Sequence, residues 1–361
     1  MTNTSSVLTV AFFPGQGSQT VGMGKDLFQN FKSAQTVFEE ASDSTHLDIR
    51  KLCFDGPEAE LLLTENTQPC LLTVSVAAFR IAVQEFGFLP AAVAGHSLGE
   101  YSALVAAGSL PLAKAAAWVR ERGRAMQQAV PAGQGTMAAV MGLADADVER
   151  LCAQASENAR KRRASGENSE LSVAATVEPA NFNAPGQIVI AGSTDAVAEA
   201  IALIKGGGEF PGGKAIPLSV SAPFHSTLMS PARTRMAELF ANADSLAQPR
   251  RPVCPYVPNR TARLTQESGI IFELLVEQVD HAVLWKQSVT HLLEQNYTRF
   301  VEFGPGKVLS GLTKRIAQPL GKSCDLLNVS DVASLTNTGK VLAGPAPEAA
   351  TSPAVPPGGS Q

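Results

Sequence analysis

Residues 7–13 form a short, nearly continuous apolar run closed by Pro14-Gly15, the pattern of a strand buried on both faces. Residues 68–86 instead carry apolar side chains at helical spacing. After Pro90, a small-residue segment at 91–94 leads into Gly95-His96-Ser97-Leu98-Gly99. Helices are predicted over 98–107, stopping near Gly108, and over 112–130, ended by Pro131 and Gly133. Strand, turn and helix in alternation predict an α/β architecture. Beyond Gly133 the pattern changes to strand 136–143, helix 145–156, strands 171–177 and 187–192, and helix 194–204. That βαββα order predicts a small α+β subdomain inserted in a larger one. Residues 157–170, with Arg160-Lys161-Arg162-Arg163, read as a solvated loop. Turn residues at 206–213 precede Ser219-Val220-Ser221-Ala222-Pro223-Phe224-His225. Helices are then expected at 227–242 and around 271–293, and a strand at 299–303 that meets Gly304-Pro305-Gly306 and a further helix. Past Ala343 the chain is nearly all Gly, Pro, Ala and Ser, which cannot bury a core.

The chemistry concentrates at two of these turns. Gly95-His96-Ser97-Leu98-Gly99 fits a nucleophile elbow, in which flanking glycines let the serine take a strained backbone and present its hydroxyl. The same turn sets Ser97 at a helix N-terminus, where the Leu98 N–H can stabilise an oxyanion. A serine nucleophile needs a base, and five histidines are available. His96 is expected to point away from the hydroxyl; His46, His281 and His291 lie in polar or helical stretches; His225, at the start of a helix, is the favoured candidate. The turn Pro14-Gly15-Gln16-Gly17-Ser18-Gln19 follows the first strand and offers N–H donors at the sheet's C-terminal edge. It is no phosphate loop, because Met23-Gly24-Lys25 is followed by Asp26 rather than Ser or Thr.

Charge and composition narrow the partners. A net charge of −4 over 361 residues gives no bulk basic field for nucleic acid or an anionic membrane, so an anionic ligand must meet local cations. No uninterrupted apolar run is long enough for a membrane span, and the first residues lack the pattern of a secretory signal. Five scattered cysteines without a C-x-x-C pair read as free thiols in a reduced, cytoplasmic setting, with nothing to build a structural metal site.

With these segments in hand, the chain resembles the malonyl-CoA:acyl carrier protein transacylases of bacterial fatty-acid synthesis. The likeness rests on Phe13-Pro14-Gly15-Gln16-Gly17-Ser18-Gln19 with Gly22-Met23-Gly24, on Gly95-His96-Ser97-Leu98-Gly99-Glu100, and on Glu121-Arg122-Gly123 with Met126-Gln127. It continues through Asn181-Phe182-Asn183-Ala184-Pro185-Gly186-Gln187, Ala222-Pro223-Phe224-His225-Ser226 and Glu302-Phe303-Gly304-Pro305-Gly306. The resemblance implies Ser97 as the acylated nucleophile, His225 as its base, and the N–H groups of Gln16 and Leu98 as the oxyanion hole. It implies a main-chain carbonyl at Gln278 orienting the histidine, Arg122 holding the malonyl carboxylate, and Asn183 as a further substrate contact. Asp280-His281 stands where the family more often has Asn-Pro, and the 157–170 segment and the tail are extra.

The fold expected is α/β: a hydrolase-like large domain with a parallel sheet (1–132 and 217–342), interrupted by a ferredoxin-like subdomain (133–216), with a low-complexity tail (343–361). The activity expected is ping-pong transfer of malonyl from malonyl-CoA to the phosphopantetheine thiol of acyl carrier protein through a malonyl-serine. Coenzyme A and phosphopantetheine thioesters are then substrates, with no bound cofactor or metal and with a monomer as the expected state. The alternatives are an acyltransferase with another acyl group or serving a polyketide synthase, and a serine thioesterase. Phe224 beside His225 favours malonyl over bulkier methylmalonyl.

Overall fold

The computed structural model describes residues 7–343 other than Ser169 and Ser221; the tail beyond Ala343, and Ser221 in the segment before His225, lie outside the described residues. Strand β1 (Thr9–Phe13) is wholly buried, as its unbroken apolar run predicts. Helices α1 (Lys25–Asn30), α2 (Lys32–Thr45), α3 (Ile49–Phe54) and α4 (Glu58–Leu61) follow, in a stretch left without elements by the sequence pattern. Helix α5 (Thr64–Phe86) is long and apolar enough to cross a membrane by length and composition, yet 72% of that window is buried inside the fold, so it is a core helix. Next come β2 (Ala92–Gly95), α6 (Gly99–Ala106) and α7 (Leu112–Gln128).

The chain then builds a second sheet from β3 (Gly135–Met141), α8 (Asp145–Ala164), β4 (Val177–Ala184), β5 (Gln187–Ser193), α9 (Thr194–Lys205) and β6 (Lys214–Pro217). Its order, β4-β5-β3-β6 with antiparallel neighbours, completes a βαββαβ unit of ferredoxin-like type. The remainder is α10 (Ser230–Ala241), β7 (Tyr256–Val257), α11 (Ile271–Glu277), α12 (Trp285–Glu294), β8 (Arg299–Phe303), α13 (Val308–Ala317), β9 (Asp325–Val329) and α14 (Val332–Ala343). The first sheet, β7-β2-β1-β8-β9, is parallel throughout. Helices cover both faces, α5 and α7 with Leu71, Val74, Val119 and Phe13 on one side, and α12 and α13 with Phe12, Trp285 and Phe300 on the other.

Three expectations are corrected. The strand expected at 171–177 lies at Val177–Ala184, where Pro179 is tolerated because β4 is an edge strand with a register shift between Pro179 and Asn181. The basic run 160–163 belongs to the last turns of α8, not to a loop. Arg160 and Lys161 pair with Glu157, Arg162 with Glu199 and Arg163 with Asp195, so these cations are met locally. The helix expected around 271–293 breaks into α11 and α12. The segment between them is pinned to β4 by Phe182 N–H to Val283 carbonyl and Val283 N–H to Ala180 carbonyl, both 2.9 Å.

Candidate active site

The parallel sheet delivers its site residues at the C-terminal ends of adjacent strands, where ligands of open α/β sheets sit. Gln16 follows β1, Ser97 follows β2, and Asn259 follows β7. A cavity of about 640 Å³ opens there, lined by Gln16, Ser97, Leu98, Arg122 and Phe224 and, from the small sheet, by Met137, Asn183 and Val189.

Ser97 holds φ at 53°, in the left-handed region, as an elbow nucleophile must. The glycines around it do a different job from the one expected: neither Gly95 nor Gly99 has a positive φ. A Cβ on Gly95 would overlap the Gly99 carbonyl, and one on Gly99 would overlap the Phe13 carbonyl, so the pair lets three stretches of backbone touch. Asn259 holds the strained turn in place. Its Oδ1 accepts the Ser97 N–H at 2.7 Å and its Nδ2 donates to the Gly95 carbonyl at 2.7 Å. The next N–H, that of Leu98, makes no main-chain hydrogen bond among the described residues, and neither does that of Gln16. Both residues line the cavity.

His225 Nε2 lies 2.7 Å from Ser97 Oγ, and its Nδ1 lies 2.8 Å from the main-chain carbonyl of Gln278. That carbonyl fixes the tautomer with the proton on Nδ1 and leaves Nε2 free to accept. Burial, reinforced by the Arg122 charge, pushes the imidazole down to about 3, so it is neutral and able to take a proton at neutral pH. The edge strand of the small sheet also reaches this segment, since Glu178 accepts from both the N–H and the hydroxyl of Thr227, two residues beyond the histidine.

Arg122, projecting from α7, is 1% exposed, and no carboxylate stands in ion-pair contact with it among the described residues. Its terminal nitrogens donate to Gln68 Oε1 at 2.8 Å, Gln278 Oε1 at 2.8 Å and Ser97 Oγ at 3.1 Å, while its Nε–H has no partner among the described residues. Burial pulls the guanidinium below its usual value, and the face of Tyr101 stands 5.9 Å away. A buried cation with spare donors beside a serine hydroxyl is built to receive an anionic group.

Of the residues singled out from the sequence, Gln16, Ser97, Leu98, Arg122, Asn183 and His225 line one cavity, and Gln278, wholly buried, meets them through its contacts to His225 and Arg122. His96, expected to point away from the Ser97 hydroxyl, makes no hydrogen bond to it and lies 2.8 Å from Asn183 Oδ1 through Nε2 while lining the cavity; burial lowers its basicity. Gln278 contributes its side chain as well as its carbonyl. Gln68, Glu100 and Asn259 were not foreseen as site residues, although Glu100 stands in the elbow motif itself. Groups of His, Cys, Asp and Glu able to hold a metal are absent among the described residues.

The acyl transferase domain family matches residues 10–341. The chain is 43% identical over 311 residues to the malonyl CoA-acyl carrier protein transacylase of Escherichia coli (strain K12), covering 86% of this chain and 93% of that protein. Among solved structures, an acyl-carrier-protein S-malonyltransferase from Burkholderia pseudomallei 1710b superposes with a TM-score of 0.81 at 41% identity, covering 92% of this chain and 99% of the other. A malonyl-transacylase in complex with its type II PKS acyl-carrier protein superposes with a TM-score of 0.81 at 38% identity, covering 91% and 98%.

Proposed function

This chain belongs to the malonyl CoA-acyl carrier protein transacylases of the acyl transferase family, and we propose that its reaction runs through Ser97, His225 and Arg122. The protein transfers malonyl groups from malonyl-CoA to acyl carrier protein for fatty-acid synthesis. In the first half-reaction Ser97 Oγ attacks the thioester carbonyl while its proton passes to His225 Nε2. The oxyanion rests on the N–H groups of Gln16 and Leu98, and collapse expels the coenzyme A thiolate, which takes the proton back from His225. In the second, His225 Nε2 removes the proton of the phosphopantetheine thiol, the sulfur adds to the malonyl-ester carbonyl, and collapse expels Ser97 Oγ, which takes that proton back from His225. Both thiols are substrates, and none of these steps calls for a resident cofactor. Asn183, tied to His96, lines the cavity from the small sheet.

The observation that most supports this reading is the position of one hydroxyl between the His225 imidazole at 2.7 Å and the Arg122 guanidinium at 3.1 Å. It ties bond-making chemistry to a receptor for the far end of a three-carbon acyl group. Intact-mass measurement after mixing with malonyl-CoA tests it, with one malonyl adduct expected per chain and none expected to hydrolyse rapidly, as a thioesterase would require.

The pH dependence follows from the depressed imidazole. Protonation would remove the base, but with His225 at about 3 rather than the ordinary 6.5, single-turnover acylation at saturating malonyl-CoA should stay level from pH 8 to pH 5. A midpoint near 6.5 would show that the imidazole is not depressed in the malonyl-CoA complex. Between about 6.5 and about 3 the unfolded chain binds a proton at this residue that the folded chain does not, so stability is expected to decline as pH falls through that window.

We divide the chain at 132/133, 216/217 and 342/343, a reading supported by the two sheets to within one residue, since β6 runs to Pro217 and α14 to Ala343, and read the active form as a monomer because one chain carries every group invoked. A cytoplasmic setting is supported by five cysteines, all unpaired. Carrier proteins are typically acidic, so exposed Lys307, Lys314 and Arg315, at the start and along α13, are the proposed docking cations. Reversing the three charges is expected to raise KM for the carrier while sparing KM for malonyl-CoA; equal rises would exclude docking. Comparing fatty-acid and polyketide carriers in the same assay addresses the second reading, supported by the neighbour that holds a type II PKS carrier.

A further inference from the structure

Glu100 is a buried carboxylate, 1% exposed, at the start of the helix that follows the nucleophile, and the reaction scheme gives it no task. One of its oxygens, Oε2, accepts both the Asn259 N–H at 3.0 Å and the Gln278 Nε2 at 2.7 Å; the other, Oε1, is buried without a partner among the described residues. The Gln278 amide is bonded at both ends, since its Oε1 accepts from Arg122 at 2.8 Å. Guanidinium, amide and carboxylate therefore form one chain, Arg122–Gln278–Glu100, with the negative charge two hydrogen bonds from the positive one.

The spacing has a chemical meaning. A buried guanidinium needs a counter-charge, because desolvation of an isolated ion is costly. A carboxylate in direct contact would engage the guanidinium's fork and leave an incoming acyl carboxylate to compete for it. The neutral amide solves both demands: it relays a compensating field and occupies only one N–H. The Nε–H, one hydrogen on the nitrogen facing Gln68, and the hydrogen now given to Ser97 Oγ remain for the substrate.

We propose that Glu100 tempers the grip on carboxylated acyl groups, acting on Arg122 through the side-chain amide of Gln278. It is a positioning residue that touches neither the acyl group nor the reacting atoms. The proposal rests on the reading that Arg122 binds the malonyl carboxylate.

Glu100→Gln tests it almost isosterically, because the amide oxygen can keep both hydrogen bonds of Oε2 while the amide nitrogen takes the place of the unpartnered Oε1. Assays at pH 8 keep the native carboxyl, which burial raises to about 7, mostly ionised. With the opposing charge gone, KM for malonyl-CoA is expected to fall about threefold to tenfold, the range of a screened charge two hydrogen bonds away, while acetyl-CoA transfer does not improve. Glu100→Gln combined with Gln278→Glu is the converse variant, placing the carboxylate directly on the guanidinium while the amide introduced at position 100 can still donate to it; KM for malonyl-CoA should rise on the order of tenfold or more, with acetyl-CoA transfer less affected. It serves also if Glu100→Gln alone does not fold. A merely structural Glu100 would lower kcat/KM for both acyl groups alike and leave their ratio unchanged, which overturns the proposal. Arg122→Ala, measured alongside, separates the two levels. If it leaves the malonyl-to-acetyl ratio unchanged, the clamp reading itself is wrong; if it collapses the ratio while Glu100→Gln does not move it, only the role of Glu100 is wrong.

Discussion

Ser97→Ala is expected to leave a folded protein that takes up no malonyl group and transfers none, with turnover reduced on the order of a thousandfold or more. The expectation rests on geometry that Ser97 alone has among the described serines. It combines a φ of 53°, a 2.7 Å contact to an oriented imidazole, and a following N–H left free at a helix start. Alanine tolerates the left-handed backbone no better than serine, but Asn259 still grips the main chain at residues 95 and 97, so the fold should survive. Intact mass after incubation with malonyl-CoA reads the result directly. A stoichiometric adduct on the Ser97→Ala protein would place the nucleophile elsewhere.

The second large effect concerns acyl choice. Malonyl and acetyl thioesters differ by one terminal carboxylate, and in a closed cleft that charge needs a partner. A hydrogen bond to a charged group is worth about 1.5–3 kcal/mol, so Arg122→Ala should cut kcat/KM for malonyl-CoA by roughly tenfold to over a hundredfold. Acetyl transfer should hold or improve, because a buried guanidinium with an unpartnered Nε–H no longer sits beside a methyl group. Arg122→Lys should restore only part of the loss, since an ammonium reaches Gln68 and Gln278 as a point charge rather than as a planar fork. Steady-state transfer of both acyl groups by the three proteins decides it, and an unchanged preference in Arg122→Ala would refute the clamp.

Much of this was legible in the chain because it is local. The buried strand before Pro14, the Gly-x-Ser-x-Gly turn and the change of periodicity after Gly133 each lie within a few residues, and each announces an element by itself. Asn259, Gln68 and Glu100 were not legible as site residues because their meaning is tertiary. Asn259 is an asparagine in a Pro- and Arg-containing loop until β7 sets it against a turn more than a hundred and fifty positions earlier. Arg122 would read as an exposed helix arginine without the family pattern, since nothing in α7 tells that Gln68 and Gln278 close over it. The break between α11 and α12 was missed for the same reason: the apolar spacing runs on, and only the pairing with β4 interrupts it.

The two ends of the small sheet leave and rejoin the rest of the chain side by side, for β3 and β6 are neighbours and Ala138 stands opposite Pro217. A segment entered and left through one doorway behaves as an exchangeable cartridge, because replacing it changes little in the loop-closure entropy of its host. The proposed nucleophile, base and oxyanion donors, the guanidinium and the amide bonded to it all belong to the host. The cartridge supplies Met137, Asn183 and Val189, the wall that the acyl chain and its thioester arm would lie against. One wall of the cavity and the groups proposed to make bonds and hold the acyl carboxylate thus lie on separate lengths of one polypeptide, so the shape of the first can vary while the second is held constant.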